Sequence, residues 1–361
     1  MKKLIKLILV LLNILVFIGL SAAFLSIYIN PQDFWLFQFF GLGFIYIYIA
    51  NIVFLIYWTL NRISKKMIIL NTIFILFGIS YFNDFLQINF TNTESEKSIK
   101  ILSYNVRQFD LYNWEENKIN RDKYFDFIRS ENPDIVCFQE YYEDHTGNFI
   151  TTDSIIEILG TKNYYFKPTN STGDKYDFGI AIFSKYPILN SGFINFDNSS
   201  NIIIYSDLLI DLDTVRVFNA HLQSIKFEPE DYTFIQKIEE SIDSVLIDDA
   251  TPLLTKMRDA YKLRAIQADS LSDRINKSPY KVIVCGDFND TPVSYTYHTV
   301  KGDLLDSFEE SGFGIGQSYN GAFPSFRIDY ILHSKSIKSL KYKCPRIPLS
   351  DHFPVLVYIE L

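Results

Sequence analysis

KVIVCGDFN, residues 281 to 289, is an unbroken apolar run that stops at a glycine and then shows Asp287 and Asn289. A short β-branched run closed by Gly, Asp and Asn reads as a buried strand whose polar residues fall at its end. Five further segments have the same build: KILSYNV (100 to 106), DIVCFQE (134 to 140), FGIAIFSK (178 to 185), VRVFNAHL (215 to 222) and RIDYIL (327 to 332). Between the first two, residues 119 to 129 follow a helical period that Ser130-Glu131-Asn132-Pro133 ends. Residues 233 to 247 and 254 to 276 are also expected to be helical, the latter with Leu254, Met257, Tyr261, Leu263 and Leu271 among charges. No repeat is visible, so the pattern predicts an α/β domain built on several short strands.

The polar residues gather where these runs stop. Asn105, Gln139 and Glu140, Asn219 and His221, Asp287 and Asn289, and Asp351 with His352 all lie at or just past such an end. Sheets place binding residues there. Singly, each has a plain structural explanation: a strand-end turn for Asn105, a helix-terminal carboxylate for Glu140, a satisfied core histidine for His221, a turn for GDFND. Together they make a set of hard oxygen donors with two histidines and no thiol. Such donors suit Mg²⁺, Mn²⁺ or Ca²⁺, and the histidines suit acid–base work near neutral pH. No phosphate-binding glycine loop, nucleophile elbow or dinucleotide fingerprint competes. The chemical class is a metal-assisted hydrolase without a covalent intermediate.

Composition separates the chain into two materials. The first 96 residues hold 6 Lys/Arg and 4 Asp/Glu, whereas the remaining 265 hold 28 and 38, a balance of −10. The overall hydrophobic content of 48% excludes a disordered or collagen-like chain. Residues 7 to 32 and 34 to 61 carry no charge, and each exceeds the ~20 residues that cross a bilayer. A third stretch, 67 to 83, is shorter, but Lys65 and Lys66 can snorkel and Tyr81 and Phe82 can sit in the interface. Three spans are therefore expected. A cleaved signal peptide is the alternative for the first, since Ser21-Ala22-Ala23 resembles a cleavage site. Lys2, Lys3, Lys6, Arg62, Lys65 and Lys66 mark the cytoplasmic ends, which puts everything after the third span outside the cytoplasm. The expected organisation is a membrane anchor over 1–90, a polar tether over 91–98 and a catalytic domain over 99–361. Cys137, Cys285 and Cys344 are far apart, without zinc-site spacing. The first two read as buried small hydrophobes.

In order along the chain, SYNV, DIVCFQE, NAHLQS, CGDFND, RIDYIL and SDHFP resemble the motifs of the endonuclease/exonuclease/phosphatase family, the DNase I-like enzymes. They extend over residues 101 to 354. The resemblance implies a four-layer α/β/β/α sandwich, here preceded by transmembrane helices, and a phosphoric ester hydrolase that uses Mg²⁺, with Mn²⁺ or Ca²⁺ as alternatives. It implies that Glu140 is the principal metal carboxylate, that Asn105 helps bind metal or phosphate, and that Asp351 completes the metal shell. Asp287 and Asn289 would orient the attacking water, His352 paired with Asp329 would act as base or stabilise the transferring group, and His221 would contact the phosphate or assist the leaving group.

Substrate is less sharply marked. Arg107 and Arg327 are each placed either to reach a phosphate or to stay solvated. Tyr295, Tyr297 and Phe323 follow site motifs, where they either stack a base or line a pocket, or simply pack their loops. The stretch from 225 to 276 is a lid, a membrane-facing element or a solvated insertion. The charge of −10 disfavours tight nonspecific binding to duplex nucleic acid. Nucleic acid and phospholipid headgroups are thus the two expected substrate classes, with the lipid bilayer as the chain's partner. The reading from a different class is a non-catalytic membrane receptor or scaffold for phosphate-containing ligands.

Overall fold

The computed structural model describes residues 2–90, 97–197, 199–228, 230–231, 233–234, 247–321 and 326–361. Most of the tether, most of the helix expected over 233 to 247, and Phe323 lie outside these. All six expected strands are present, at Ile99–Asn105 (β2), Ile135–Asp144 (β3), Tyr176–Ser184 (β5), Asp213–His221 (β8), Lys281–Asp287 (β9) and Asp329–His333 (β12). They are divided between two six-stranded sheets.

One sheet sets Lys338–Lys343 (β13) and Val355–Glu360 (β14) beside β2 and β3, then β5 and Asn163–Thr172 (β4). The other sets Leu305–Asp306 (β10) beside β12, β9 and β8, then Ile203–Ile210 (β7) and Ile188–Ile194 (β6). Each sheet contains one parallel pair, β2 with β3 and β8 with β9. The other pairings are antiparallel.

Alternation along the strands builds the layers. Ile101, Ile135, Cys137, Ile182, Val217, Ile283 and Cys285 face the seam between the sheets. Their neighbours Leu102, Tyr104, Val136 and Phe138 face outward and pack on Asn117–Glu131 (α6) and Thr152–Leu159 (α7). On the far side Phe218, Val282 and Val284 meet Ala268 and Leu271 of Ile247–Asn276 (α8). The result is the expected α/β/β/α sandwich. Within the stretch from 225 to 276, the second half of α8 is part of an outer layer and no solvated insertion; residues 229, 232 and 235–246 lie outside the described ones.

Among the described residues, three helices are long and apolar enough to cross a membrane: Lys2–Ser26 (α1), Phe44–Asn61 (α4) and Lys65–Asn83 (α5). The uncharged stretch from 34 to 61 is not one span. Its first part folds with Pro31 into two short helices, Pro31–Phe34 (α2) and Phe37–Leu42 (α3), and only α4 is long enough to cross. Inside the bundle the amides of Asn13 and Asn71 bond reciprocally at 3.1 and 2.8 Å, and the Trp58 indole donates to Asn13 Oδ1 at 2.8 Å. Buried polar contacts of this kind hold apolar helices together where hydrophobic burial cannot.

The bundle and the sandwich are joined by packing. Val293, just past the GDFND motif, is fully buried among Leu20, Ala23, Phe24, Phe44 and Phe85. A Cβ on Gly41 would lie 2.1 Å from the Val293 carbonyl oxygen, so glycine is what lets α3 approach this loop. Gln38 is buried between the two parts, donating to the Ser26 carbonyl and accepting from the Tyr295 backbone N–H. Directly after α5, Leu86–Ile88 (β1) pairs with Phe313–Ile315 (β11), so the chain is tied to the sandwich before residue 90.

Candidate active site

Strand register assembles the site. His221 ends β8 opposite Asp287 of β9, and Asp287 lies opposite Asp329 of β12, so three polar side chains form a row across three neighbouring strands. From the facing sheet come Asn105, which ends β2, and Glu140 on β3. The ends of both parallel pairs therefore converge, as open sheets place their sites. The turn before β14 brings Ser350, Asp351 and His352 over them, fixed by a hydrogen bond from Ser350 Oγ to the Asn105 carbonyl at 2.9 Å.

Two backbone irregularities aim the side chains. The β3–β5 register shifts between Phe138 and Tyr141, whose side chains both enter the outer core under α6. The bulge lies between them, and Glu140 there adopts φ +51. In regular alternation Glu140 would face the outer core, and the bulge turns it into the cleft instead. A non-glycine residue in the left-handed region is strained by about 1–2 kcal/mol. Gly286 has φ +145, and a Cβ there would lie 1.9 Å from the Ala220 carbonyl oxygen. Glycine at this point lets β9 stay against β8 up to Asp287.

All eight residues singled out in the sequence meet here. His352 Nδ1 pairs with Asp329 Oδ2 at 2.9 Å, and its Nε2 lies 3.6 Å from Asp287 Oδ2. Asn289 donates its backbone N–H to Asp287 Oδ1 at 2.8 Å and its amide to Asp287 Oδ2 at 3.2 Å. Asn105 donates its amide to Asp287 Oδ2 at 3.1 Å and to Glu140 Oε1 at 3.4 Å. His221 Nε2 is buried without a hydrogen-bond partner, 3.8 Å from Asp287 Oδ2 and 3.9 Å from Glu140 Oε1. Asp351 lines the same recess as Glu140, Asp287 and Asn289.

Electrostatics separates the two histidines. Burial opposes a charge on His352, but the carboxylates of Asp329 and Asp287 outweigh it and hold the pKa up at about 10. Burial dominates at His221 and lowers its pKa, against the opposing pull of Asp287. One histidine is thus cationic at neutral pH and the other neutral. Burial raises Asp287 to about 6, tempered by His352, and raises Glu140, again tempered by His352.

A divalent cation fits these residues. Glu140 and Asp351 are hard oxygen donors, and burial disfavours the Glu140 charge unless a cation stands beside it. Asp287, Asp329 and His352 also have donor atoms within 4.8 Å of one another. There the His352 imidazolium already balances charge, so a cation at that trio would have to replace its proton. Asn105 turns its amide nitrogen to the carboxylates, and the isosteric flipped amide would offer its oxygen to a metal.

Other polar residues have different duties. Asn219 donates to the Phe138 and Ala181 carbonyls of the facing sheet and accepts from Gln139, so both clamp the sheets together under the site. Arg327 is buried against Asp306 at 2.7 Å and stacks on Phe308 and Tyr330, which removes it from phosphate contact. Tyr297 is buried with its hydroxyl on Asp306 and Glu309, and Tyr295 bonds Asp269. These two tyrosines pack and do not stack a base. Arg107 is exposed beside the recess that Asp351 also lines.

Sequence reasoning missed Gln108, which donates to Glu140 Oε2 at 3.1 Å, and Tyr319, whose ring meets the His352 imidazole edge-on at 5.2 Å. Gln108 lies three residues past Asn105, and its proximity in the chain was the one available signal. Tyr319 reaches the site from a distant turn through a bridge to His352.

Known proteins place this geometry. No curated protein sequence matches the chain. Residues 5–85 match a Domain of unknown function (DUF8431). An endonuclease/exonuclease/phosphatase family protein from Bacteroides thetaiotaomicron superposes with a TM-score of 0.52 at 17% identity, covering 74% of this chain and 100% of that one. The human Nocturnin catalytic domain with bound sulfate gives 0.51 at 17%, covering 74% and 96%. ANGEL2, a 2',3'-cyclic phosphatase, gives 0.51 at 17%, covering 76% and 99%. At these identities the likeness concerns the fold. The family assignment comes from the match of residues 102–352 to the Endonuclease/Exonuclease/phosphatase family, a span that starts in β2, ends on His352 and takes in every site residue above, so the chain belongs to that family, whose members are phosphoric ester hydrolases.

Proposed function

We propose that this chain is a membrane-anchored, Mg²⁺-dependent phosphoesterase that hydrolyses its substrate by in-line attack of water. The observation that carries the reading is the convergence of Glu140, Asn105, Asp287, Asn289, Asp329, His221, Asp351 and His352 in one cleft, with one histidine cationic and one neutral. Glu140 and Asp351, with Asn105, would hold the Mg²⁺, which supplies positive charge to the phosphoryl oxygens as they gain negative charge.

The chain's own residues do the rest. Asp287 and Asn289 orient the water, and Asp287, with its pKa raised toward neutrality, takes the proton as the water oxygen bonds to phosphorus. His352, held as a cation by Asp329, stabilises the equatorial oxygens. The P–O ester bond opposite the water breaks, and the departing alkoxide is reprotonated. His221, with its unpaired Nε2, is the group available to hydrogen-bond that oxygen.

The full-length protein in detergent is expected to hydrolyse bis(4-nitrophenyl) phosphate with Mg²⁺, to lose that activity in EDTA and to regain it when Mg²⁺ is restored in excess. A full-length preparation inactive with Mg²⁺, Mn²⁺ and Ca²⁺ alike would overturn the reading.

Orientation follows from charge. Lys2, Lys3 and Lys6 begin α1, and Arg62, Lys65 and Lys66 join α4 to α5, so positive charge lies at the bundle end away from Val293. Positive residues favour the cytoplasmic side, which supports a position outside the cytoplasm for the sandwich. A reporter enzyme active only outside the cytoplasm is expected to work when fused after Ser98 and to be silent after Ser64. Silence at Ser98 would mean that residues 67 to 83 do not cross and that the substrate is cytoplasmic.

A further inference from the structure

The cleft has two arms that meet at the site, one more polar than the other. The more polar one, of about 340 Å³, is lined by Gln108, Thr169, Asn170, Asn201 and His221, with Phe178, Ile180 and Ile202 at its apolar part. The other, of about 300 Å³, has an apolar wall of Leu42, Ile225, Phe227, Met257, Phe326 and Ile328. Glu140, Ser224 and Lys226 line both. A phosphoester seated at Glu140 therefore has a more polar environment on one side and a more apolar one on the other.

The apolar wall is built partly from the anchor. Leu42 closes α3, and α4, which is long enough to cross a membrane, begins two residues later at Phe44. Behind Leu42, Trp35 and Phe39 pack with Leu253, Met257 and Tyr261 of α8 and with Ile225 and Phe227, so the wall is continuous with the helical segment at the end of the bundle. The Phe39 and Tyr261 rings meet edge-on at 5.6 Å. On the same segment Phe34, Leu36 and Phe40 are exposed, as is Tyr28 just before it. Apolar and aromatic side chains exposed at the end of spanning helices belong to the membrane–water interface. The loop holding Asp287 and Asn289 leads directly into Val293, which is buried in that same bundle end. With the three helices across a bilayer, the catalytic residues would be held near the level of its phosphates.

From this we propose that the substrate is a membrane lipid phosphoester, with its apolar part against the wall that Leu42, Phe227 and Met257 form and its polar part in the opposite arm. The inference rests on the hydrolase reading above and names the substrate class of the same site. It also makes Leu42, a residue of the anchor, a determinant of specificity. The domain's charge of −10 disfavours the approach of a nucleic acid.

The test uses the full-length chain with Mg²⁺ and three substrates. These are vesicles of mixed phosphatidylcholine, phosphatidylethanolamine, phosphatidylglycerol and phosphatidylinositol, the water-soluble bis(4-nitrophenyl) phosphate, and a DNA oligonucleotide. The wild type is expected to act on the vesicles in preference to DNA. Leu42→Ser and, separately, Phe227→Ser are expected to lower the ratio of lipid to soluble-diester kcat/KM about 10-fold, the scale of one lost apolar contact, and Leu42→Met is expected to restore it. A melting temperature close to that of the wild type reports that each variant is folded. Three results would overturn the lipid assignment while sparing the hydrolase: wild-type turnover of the soluble diester but no lipid, preference for DNA, or a ratio unmoved in both serine variants. A wild type that cleaves none of the three with Mg²⁺, Mn²⁺ or Ca²⁺ would overturn the hydrolase reading, and this inference with it.

Discussion

Glu140→Gln is expected to reduce turnover to near background, about 10³-fold or more, while leaving the protein folded. Glutamine keeps the shape of the side chain and so adds nothing to the strain of the left-handed backbone at the β3 bulge, which alanine would leave without its hydrogen bonds to Asn105 and Gln108. What changes is charge. Because burial disfavours the ionised form of Glu140, removing its charge should not lower the Tm in EDTA. The readout independent of activity is the metal. A ligand that binds only the folded state raises the melting temperature, so Mg²⁺ should stabilise the wild type and have little effect on Glu140→Gln. Wild-type turnover of this variant at limiting Mg²⁺ would show that the metal is held elsewhere, with the Asp287, Asp329 and His352 trio as the place to look.

The second large effect belongs to His352 and Asp329. Their 2.9 Å contact lies within a buried pocket, where the carboxylate fixes the ring and keeps it cationic. His352→Ala is expected to lose activity at the upper end of the roughly 10²- to 10⁴-fold range of acid–base and charge-stabilising groups, with little change in KM. Asp329→Asn should lose nearly as much, since its amide cannot balance the imidazolium. Groups that act as one unit are not additive, so the double variant should be scarcely worse than His352→Ala. Measuring kcat for the three on one substrate decides it, and fully multiplicative losses would show that the two residues work separately.

The parts of this arrangement that were legible in the sequence are those in which a local pattern carries the three-dimensional consequence. Six apolar runs ending in polar residues gave six strands, and the row His221, Asp287 and Asp329 follows once those strands are neighbours. Residues 119 to 129 marked α6, which extends two residues further at each end and stops with Asn132 in a left-handed cap. Strands β4, β6 and β13 went unread because as edge strands they are mostly exposed or half-buried, and NYYFKPTNST or KSLKYK carries no clean apolar run; the inner strands β7 and β14 also went unread, because their apolar runs do not end in the polar residues of the site. The break in the second apolar stretch was hidden for another reason. Hydropathy weighs composition and cannot distinguish a helix within a bilayer from one folded across the end of a bundle. Gly41 and Gln38 decide that, through contacts with residues some 250 positions away. Arg327 misled by adjacency: it stands two residues before Asp329, yet its guanidinium is committed to Asp306.

The burial of Val293 in the end of the bundle has a consequence for kinetics. On the membrane-anchored reading proposed above, a cleft fastened to helices that cross a bilayer cannot be lowered toward a surface or lifted from it, so each molecule would work only within the leaflet on which it stands. Encounter becomes lateral diffusion in two dimensions. For a substrate resident in that leaflet, the variable that sets the rate is its mole fraction among neighbouring lipids, and diluting the surface with inert lipid slows the enzyme even when the amount of substrate per volume is unchanged.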